Sequence, residues 1–229
     1  MAEDNEDRLI HVLGTVDLQQ GTGEFLYVNP IRAGGVPAAG VNAGASGSPD
    51  SAAPPPRPFE LVAQSAQGRE LGRFRPPILL PSEAGDNPTD GMIDVAIPFV
   101  EGMRRLVLLY AGKEAAVFEA GPPAAVAAGG PASGPAIAMG AAPLGHPEKR
   151  EMTVEGVSKG EPGVSYTVQV RPEGHQAWQT IAVGKNSPDF QLDRNQFPGA
   201  ASASVRVLRS TGFDSEVIDE KEVDLRFGE

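Results

Sequence analysis

The side chains that most often form catalytic and metal sites are few in this sequence and far apart. It has three histidines, His11, His146 and His175, and none lies in a His-Glu-x-x-His pattern. The chain has no cysteine, which excludes disulfides, thiolate zinc sites and cysteine nucleophiles. No Gly-x-Ser-x-Gly turn stands between a predicted strand and a helix, as a serine nucleophile of that type requires. We therefore predict no catalytic residue, no bound metal, no cofactor and no enzymatic activity.

Positive charge is concentrated in five arginines: Arg69, Arg73, Arg75, Arg104 and Arg105. Arg73 and Arg75 share one face of a predicted strand, because side chains alternate with a period of two. A cluster of this kind suits a docking patch for an acidic partner. The alternative is an ordinary solvated edge, whose charges prevent strand-to-strand aggregation. These arginines are our candidate binding residues.

Two acidic turns offer oxygen ligands of the type that calcium prefers, at 86–91 and at 214–216. Neither has the spacing of an EF-hand loop. Solvated turns explain them more simply, and we predict no calcium site.

The overall charge argues against two classes of partner. Thirty acidic and 19 basic residues give a net charge of −11, which repels nucleic-acid phosphates and anionic lipid. The longest apolar stretches, such as 106–110, are too short to span a bilayer. The acidic N-terminus does not resemble a secretory signal, so either the protein is cytosolic or a leader has been removed.

Composition divides the chain. Residues 32–58 and 120–145 are rich in Ala, Gly and Pro, which bury little area, so the first is predicted to be a mobile loop and the second to contain a domain linker. The remaining segments show apolar alternation at intervals punctuated by turn residues. This pattern, with 28 Gly and 22 Pro, favours antiparallel β-sandwiches over helical folds.

We therefore predict an all-β protein with two antiparallel β-sandwich domains in tandem, joined by an Ala/Gly/Pro-rich linker. The first domain covers 8–120, with a flexible insertion at 32–57. The linker covers 121–134, and the second domain covers 135–227.

The single tryptophan, Trp178, lies on a predicted returning strand next to a strand containing Tyr166. We expect both rings in the core of the second sandwich, with the Tyr166 hydroxyl at its rim. The alternative for Trp178 is an exposed platform on which a sugar ring stacks.

Several of these segments resemble fibronectin type III and immunoglobulin-like modules of bacterial extracellular proteins. The likeness is carried by 163–174 (GVSYTVQVRPEG), 178–182 (WQTIA), 190–193 (FQLD) and 205–207 (VRV). Residues 135–143 stand where the first strand of such a module is expected. The pattern departs at 154–157 (VEGV), where these modules often have Trp, and at 158–163, which lacks their acidic, calcium-holding turn. In the first half the resemblance rests on shorter signals at 15–18, 59–61 and 97–99.

The resemblance implies a fold rather than an activity. We expect a noncatalytic interaction or spacer protein, secreted or at the bacterial cell surface, that binds a protein partner or cell-surface component through loops or edge strands. The alternative is a carbohydrate-binding or substrate-positioning accessory region of a secreted hydrolase, such as a peptidase.

Overall fold

Apolar alternation makes nearly every regular element of this chain a β-strand. The computed structural model describes residues 8–32, 59–81, 89–123 and 136–227. Within these ranges there is no α-helix, and a 3-10 helix at Arg194–Gln196 is the only helical segment. The chain divides into two compact units, Met1–Ala120 and Gly121–Glu229. The predicted all-β fold with two antiparallel sandwiches is confirmed.

The first unit contains eight described strands: β1 (Arg8–Asp17), β2 (Thr22–Arg32), β3 (Phe59–Gln64), β4 (Glu70–Phe74), β5 (Ile78–Leu79), β6 (Asp90–Pro98), β7 (Arg105–Tyr110) and β8 (Lys113–Glu119). They form two antiparallel sheets with the orders β2-β1-β6-β5 and β4-β3-β7-β8. Ile10 and Val12 of β1, Ile93 of β6, and Leu61 and Leu106 of the facing sheet are buried between the sheets. The alternation of these residues therefore fixes which side of each strand forms the core.

The second unit contains seven described strands: β9 (Ala136–Met139), β10 (Lys149–Glu155), β11 (Ser165–Pro172), β12 (Gln179–Lys185), β13 (Phe190–Asp193), β14 (Ser202–Ser210) and β15 (Ser215–Asp224). The sheet orders are β13-β10-β9 and β12-β11-β14-β15. The chain crosses between the sheets after β10, β12 and β13, as immunoglobulin-like sandwiches do.

The core of the second unit confirms one aromatic prediction. Tyr166 is almost fully buried with Val168, Val205 and Leu192, and its hydroxyl donates to the Ser158 carbonyl at 2.9 Å. Burial raises the pKa of this hydroxyl. A buried phenol of this kind needs an acceptor, and the loop between β10 and β11 supplies it.

The boundary between the units falls between Ala120 and Gly121, whose backbone N–H groups donate hydrogen bonds to different units. The Ala120 N–H donates to the Arg104 carbonyl of the first unit, whereas the Gly121 N–H donates to the Gly163 and Thr211 carbonyls of the second. Residues 124–135, most of the expected linker, lie outside the described residues, as do 33–58, which contain the expected mobile insertion.

Side chains of β15 close one edge of the second sandwich. Ile137 of β9 pairs with Val154 of β10 on one side. On the other side its N–H donates to Asp219 Oδ2 at 2.6 Å, and its carbonyl accepts from Lys221 Nζ at 3.1 Å. These side chains satisfy backbone groups that a neighbouring strand would otherwise satisfy.

Candidate functional site

The predicted arginine patch lies around the sheet β4-β3-β7-β8, and three of its five arginines form ion pairs with neighbouring carboxylates. Arg73 contacts Glu60 at 2.6 Å and Glu70 at 2.8 Å, and Arg75 contacts the same Glu60 at 3.4 Å. The hydrogen bonds that Arg73 donates to Glu70, and then those to Glu60, hold its pKa above the usual value. Thus Arg73 and Arg75 do come together, around a carboxylate that neutralises them in part.

The other candidate arginines are held differently. Arg105 of β7 contacts Glu119 of β8 at 3.1 Å, opposite which it lies in the strand pairing. Arg69 and Arg104 use their backbone groups to bond Ser65 and Gln64. Docking at this patch therefore stays a prediction, and an acidic partner would have to compete with three carboxylates already present.

The three histidines are separated in the fold. His11 Nε2 lies 2.8 Å from Asp94 Oδ1, and His146 Nδ1 lies 3.1 Å from Glu148 Oε1. The His175 N–H bonds the Pro172 carbonyl in the turn between β11 and β12. Within the described ranges, no three metal-ligating side chains come together.

The sequence 156–160 spells Gly-Val-Ser-Lys-Gly, but it lies in the loop between β10 and β11 and no helix follows it. Ser158 uses its carbonyl to bind the Tyr166 hydroxyl. The segment therefore lacks the strand-to-helix turn that exposes a serine nucleophile.

The acidic turns have structural roles where they are described. Asp214 accepts the Thr211 N–H with its backbone carbonyl, which shapes the turn into β15. At the other turn only Thr89 to Gly91 are described, and Thr89 accepts the Leu18 N–H.

A cavity of about 410 Å³ opens near the 3-10 helix of the second unit, between Phe197, Leu225 and two arginines. Both arginines are engaged: Arg226 forms a two-point contact with Asp224, and Arg194 donates to the Phe227 carbonyl. The cavity therefore offers little free charge to a ligand.

The solvent side of β2-β1-β6-β5 carries a group of apolar side chains beside polar ones such as Thr15, Asn29 and Asp94, and we call this group the outer apolar face. Its members alternate with the buried core residues of the same strands: Leu9, His11 and Leu13 of β1, Tyr27 and Ile31 of β2, Met92, Ala96 and Pro98 of β6, and Leu79 of β5. Met92 and Leu79, which are cross-strand partners, are 41% and 45% exposed. The His11–Asp94 pair lies among these side chains, and the Tyr27 ring meets His11 edge-on at 5.6 Å.

In the part of the chain that the structure describes, the edge of this sheet is open next to the same face. β6 has nine residues, but β5 pairs with it only at Ile93 and Met92. Among the described residues, no strand pairs with that side of β6 from Asp94 onward. The backbone groups of an open strand edge can hydrogen-bond another extended chain.

Trp178 is not in the core, so that prediction is wrong. The ring is half-buried on the solvent side of β12-β11-β14-β15, with its centroid 4.6 Å from the Arg171 guanidinium carbon and 4.1 Å from that of Arg206. The strand pairing explains this position. Thr180 pairs with Gln169, whose side chain lies on the solvent face, and Trp178, two residues before Thr180, lies on the same face. Strict alternation would place Trp178 and Thr180 on the same face as Ala182, which pairs with the buried Val168. A bulge in the pairing between Val168 and Gln169 moves Thr180 and Trp178 to the opposite, solvent face.

Neighbouring side chains hold this group, which we call the Trp178 cluster: Trp178, Arg171 and Arg206. Arg206 Nε donates to Gln169 Oε1 at 2.8 Å, and Gln169 Nε2 donates to Thr180 Oγ1 at 3.1 Å. Arg171 lies 3.8 Å from Glu220. Side chains of β11, β12, β14 and β15 thus hold a tryptophan against two cations. Sequence reasoning missed this arrangement because the two arginines lie 35 positions apart on different strands.

The sequence matches no family model and no curated protein. Among solved structures, one similar chain is the crystal structure of chicken CNTN1 FN1-FN3 domains, with 12% identity and a TM-score of 0.33. The match covers 72% of this chain and 56% of that chain, so it spans little more than half the length of the neighbour. The described residues contain no helix with the length and apolar character of a membrane span.

Proposed function

We propose that this protein is a noncatalytic interaction and spacer protein that binds a protein partner through the outer apolar face of its first unit. The observation that carries the proposal is the coincidence of exposed apolar side chains with an open strand edge. Leu79 and Met92 are exposed cross-strand partners, Met92 lies two residues before Asp94, where β6 ceases to have a partner strand among the described residues on this side, and the exposed Leu80 follows Leu79. Contiguous exposed apolar residues mark interaction surfaces in soluble proteins.

An extended segment of the partner fits this surface best. Its backbone would add to β6 from Asp94 onward, and its apolar side chains would cover Met92 and Leu79. Main-chain hydrogen bonds supply affinity in this mode of binding, while side-chain contacts supply selectivity. The bacterial cell-surface or secreted location that the resemblance implies belongs to the same proposal, and fractionation of the source cells tests it.

Variants at this face test the proposal. Met92→Lys and Leu79→Lys place charges in the proposed contact, and Val217→Lys is a matched control because Val217 is an exposed apolar residue of the second unit. A photo-crosslinking amino acid at Leu80 should give a specific adduct in source extract. We expect both lysine variants to abolish this adduct and the control to retain it. An adduct that survives both lysine substitutions contradicts the proposal.

A second candidate function, carbohydrate binding by the second unit, is favoured by the position of Trp178. The ring lies on a solvent face instead of in the core, and aromatic rings in that position stack against sugars in many binding proteins. In this case the protein would also suit the accessory region of a secreted hydrolase. Titration of neutral and acidic oligosaccharides against Trp178 fluorescence tests it directly, since the chain has no other tryptophan.

A further inference from the structure

Among the described residues, Arg206 of β14 forms no ion pair of its own. Arg206 pairs with Glu220 across β14 and β15, yet Glu220 is directed to Arg171, 3.8 Å away. The Arg206 guanidinium contacts Gln169 and the Trp178 ring, and among the described residues it forms no ion pair. Because its Nε is used by Gln169, its two terminal nitrogens remain available as donors.

The surface around this cation is polar. Cross-strand pairing places Gln169, Thr180 and Ser204 on the same solvent face, and hydroxyl or amide groups of all three contact one another or the two arginines. Glu220 and Glu222 of β15 lie on this face as well, and Glu220 is directed to Arg171. The centre of a protein–protein interface is more apolar than this. Hydroxyl and amide side chains beside one aromatic ring suit a ligand that itself carries many hydroxyl groups.

We propose that the Trp178 cluster binds an acidic polysaccharide, holding the carboxylate of a uronic or sialic acid residue on Arg206. The planar guanidinium donates two parallel hydrogen bonds to a carboxylate. The sugar ring lies against the exposed part of Trp178, and its hydroxyls meet Thr180 and Ser204. A neutral sugar leaves the Arg206 charge without a partner, which is why the site selects acidic sugars.

This inference rests on the second candidate function, carbohydrate binding, and is independent of the protein partner of the first unit. The experiment uses the full chain and follows Trp178 emission during titration. The probes are hexagalacturonic acid against its methyl ester, which removes only the charge, and sialyllactose against lactose. We expect an acidic probe to bind at least about tenfold more tightly than its neutral counterpart, the usual effect of one charge-assisted hydrogen-bonded pair.

Two variants assign the effect to Arg206. Arg206→Ala should weaken acidic-probe binding about tenfold or more, and Arg206→Lys, which keeps the charge but not the fork, should weaken it less. Arg150→Ala is the matched control, because Arg150 stacks on Phe227 at 4.8 Å in the same unit and outside the cluster. It should bind like the unaltered protein. Thermal unfolding of each variant checks that the second unit is folded. If Arg206→Ala does not fold, the comparison of Arg206→Lys with the unaltered protein still tests the proposal.

The outcomes separate the two claims. Equal binding of acidic and neutral probes leaves carbohydrate binding in place and overturns the preference for acids. Binding of neither overturns both. If poly-glutamate binds as tightly as the uronate, the ligand is an acidic protein segment and the polysaccharide proposal is wrong. Acidic-probe binding that Arg206→Ala leaves unchanged also overturns it.

Discussion

Replacing Asp219 by alanine should destabilise the second unit, because Asp219 closes an otherwise open strand edge. Its Oδ2 accepts the Ile137 N–H at 2.6 Å, and the adjacent Lys221 donates to the Ile137 carbonyl at 3.1 Å. Ile137 is itself in the core. Alanine leaves that N–H without its acceptor and loosens β9, which has only four residues.

The size of the effect follows from the type of bond. A hydrogen bond to a charged group contributes about 1.5–3 kcal/mol when buried, and partial exposure of this contact reduces it to roughly 1–2 kcal/mol. For a domain of about 100 residues, each kcal/mol lowers Tm by about 4–8 °C. Asp219→Asn keeps an oxygen acceptor without the charge, so it should cost about half as much.

Denaturant unfolding followed by Trp178 fluorescence measures this, and the signal reports the second unit because Trp178 is the only tryptophan. Glu222→Ala is the control, since Glu222 is an exposed residue of the same strand. It should change the free energy of unfolding by less than about 0.5 kcal/mol. If Asp219→Ala unfolds at the same denaturant concentration as this control, the side chains of β15 do not hold β9.

Three further changes test other contacts. Arg209→Ala removes a guanidinium that is 6% exposed and bonded to Glu161 at 3.0 Å, so calorimetry should show the second unit destabilised by about 2–4 kcal/mol. Gly121→Ala places a Cβ 2.4 Å from a valine methyl carbon, and the same measurement should show a loss of about 1–3 kcal/mol, whereas an unchanged Tm would mean that this packing relaxes freely. The hydrogen bonds from Arg226 lower the pKa of Asp224 from 3.8 to about 2. Because the folded pKa is depressed, the Asp224–Arg226 contact is complete above about pH 4 and is lost as pH falls through about 2, which carbon NMR of the carboxyl should show; Arg226→Met should return the pKa to its ordinary value.

The strands that could be predicted are those in which apolar residues alternate without interruption. Ile10 and Val12 do so in β1, and Ile93 and Val95 do so in β6, since each alternate position must enter the core. The turn between β7 and β8 could be predicted only from Gly112, because Ala111 also adopts a positive φ, which residues other than glycine rarely do.

β2 was not predicted, and its position explains why. Pro30 interrupts the segment Thr22–Arg32 and argues against a strand in a sequence pattern. The structure tolerates it because β2 is an edge strand of its sheet, where one side of the backbone needs no partner. Only the sheet order, which the sequence does not contain, reveals this.

The candidate sites depended on register in the same way. The arginines of the first unit were visible in the sequence, but the carboxylates Glu60 and Glu119 reach them only through the pairing of β3, β4, β7 and β8. Trp178 was misplaced by one bulge. Residues close in sequence could be assigned to faces, whereas partners across strands could not.

The two units show why function on this fold must be sought on the solvent faces of the sheets. In each strand one set of alternate side chains is committed to the core, so sandwiches with different roles resemble each other there. The other set is free to vary without loss of the fold. On the sheet β2-β1-β6-β5 of the first unit that set includes the apolar residues Leu13, Met92 and Leu79, whereas on β12-β11-β14-β15 of the second unit it includes the polar residues Gln169 and Arg206. The core requires neither pattern, so the composition of each solvent face can be adapted to a ligand. We therefore expect the two faces to bind ligands of different chemistry.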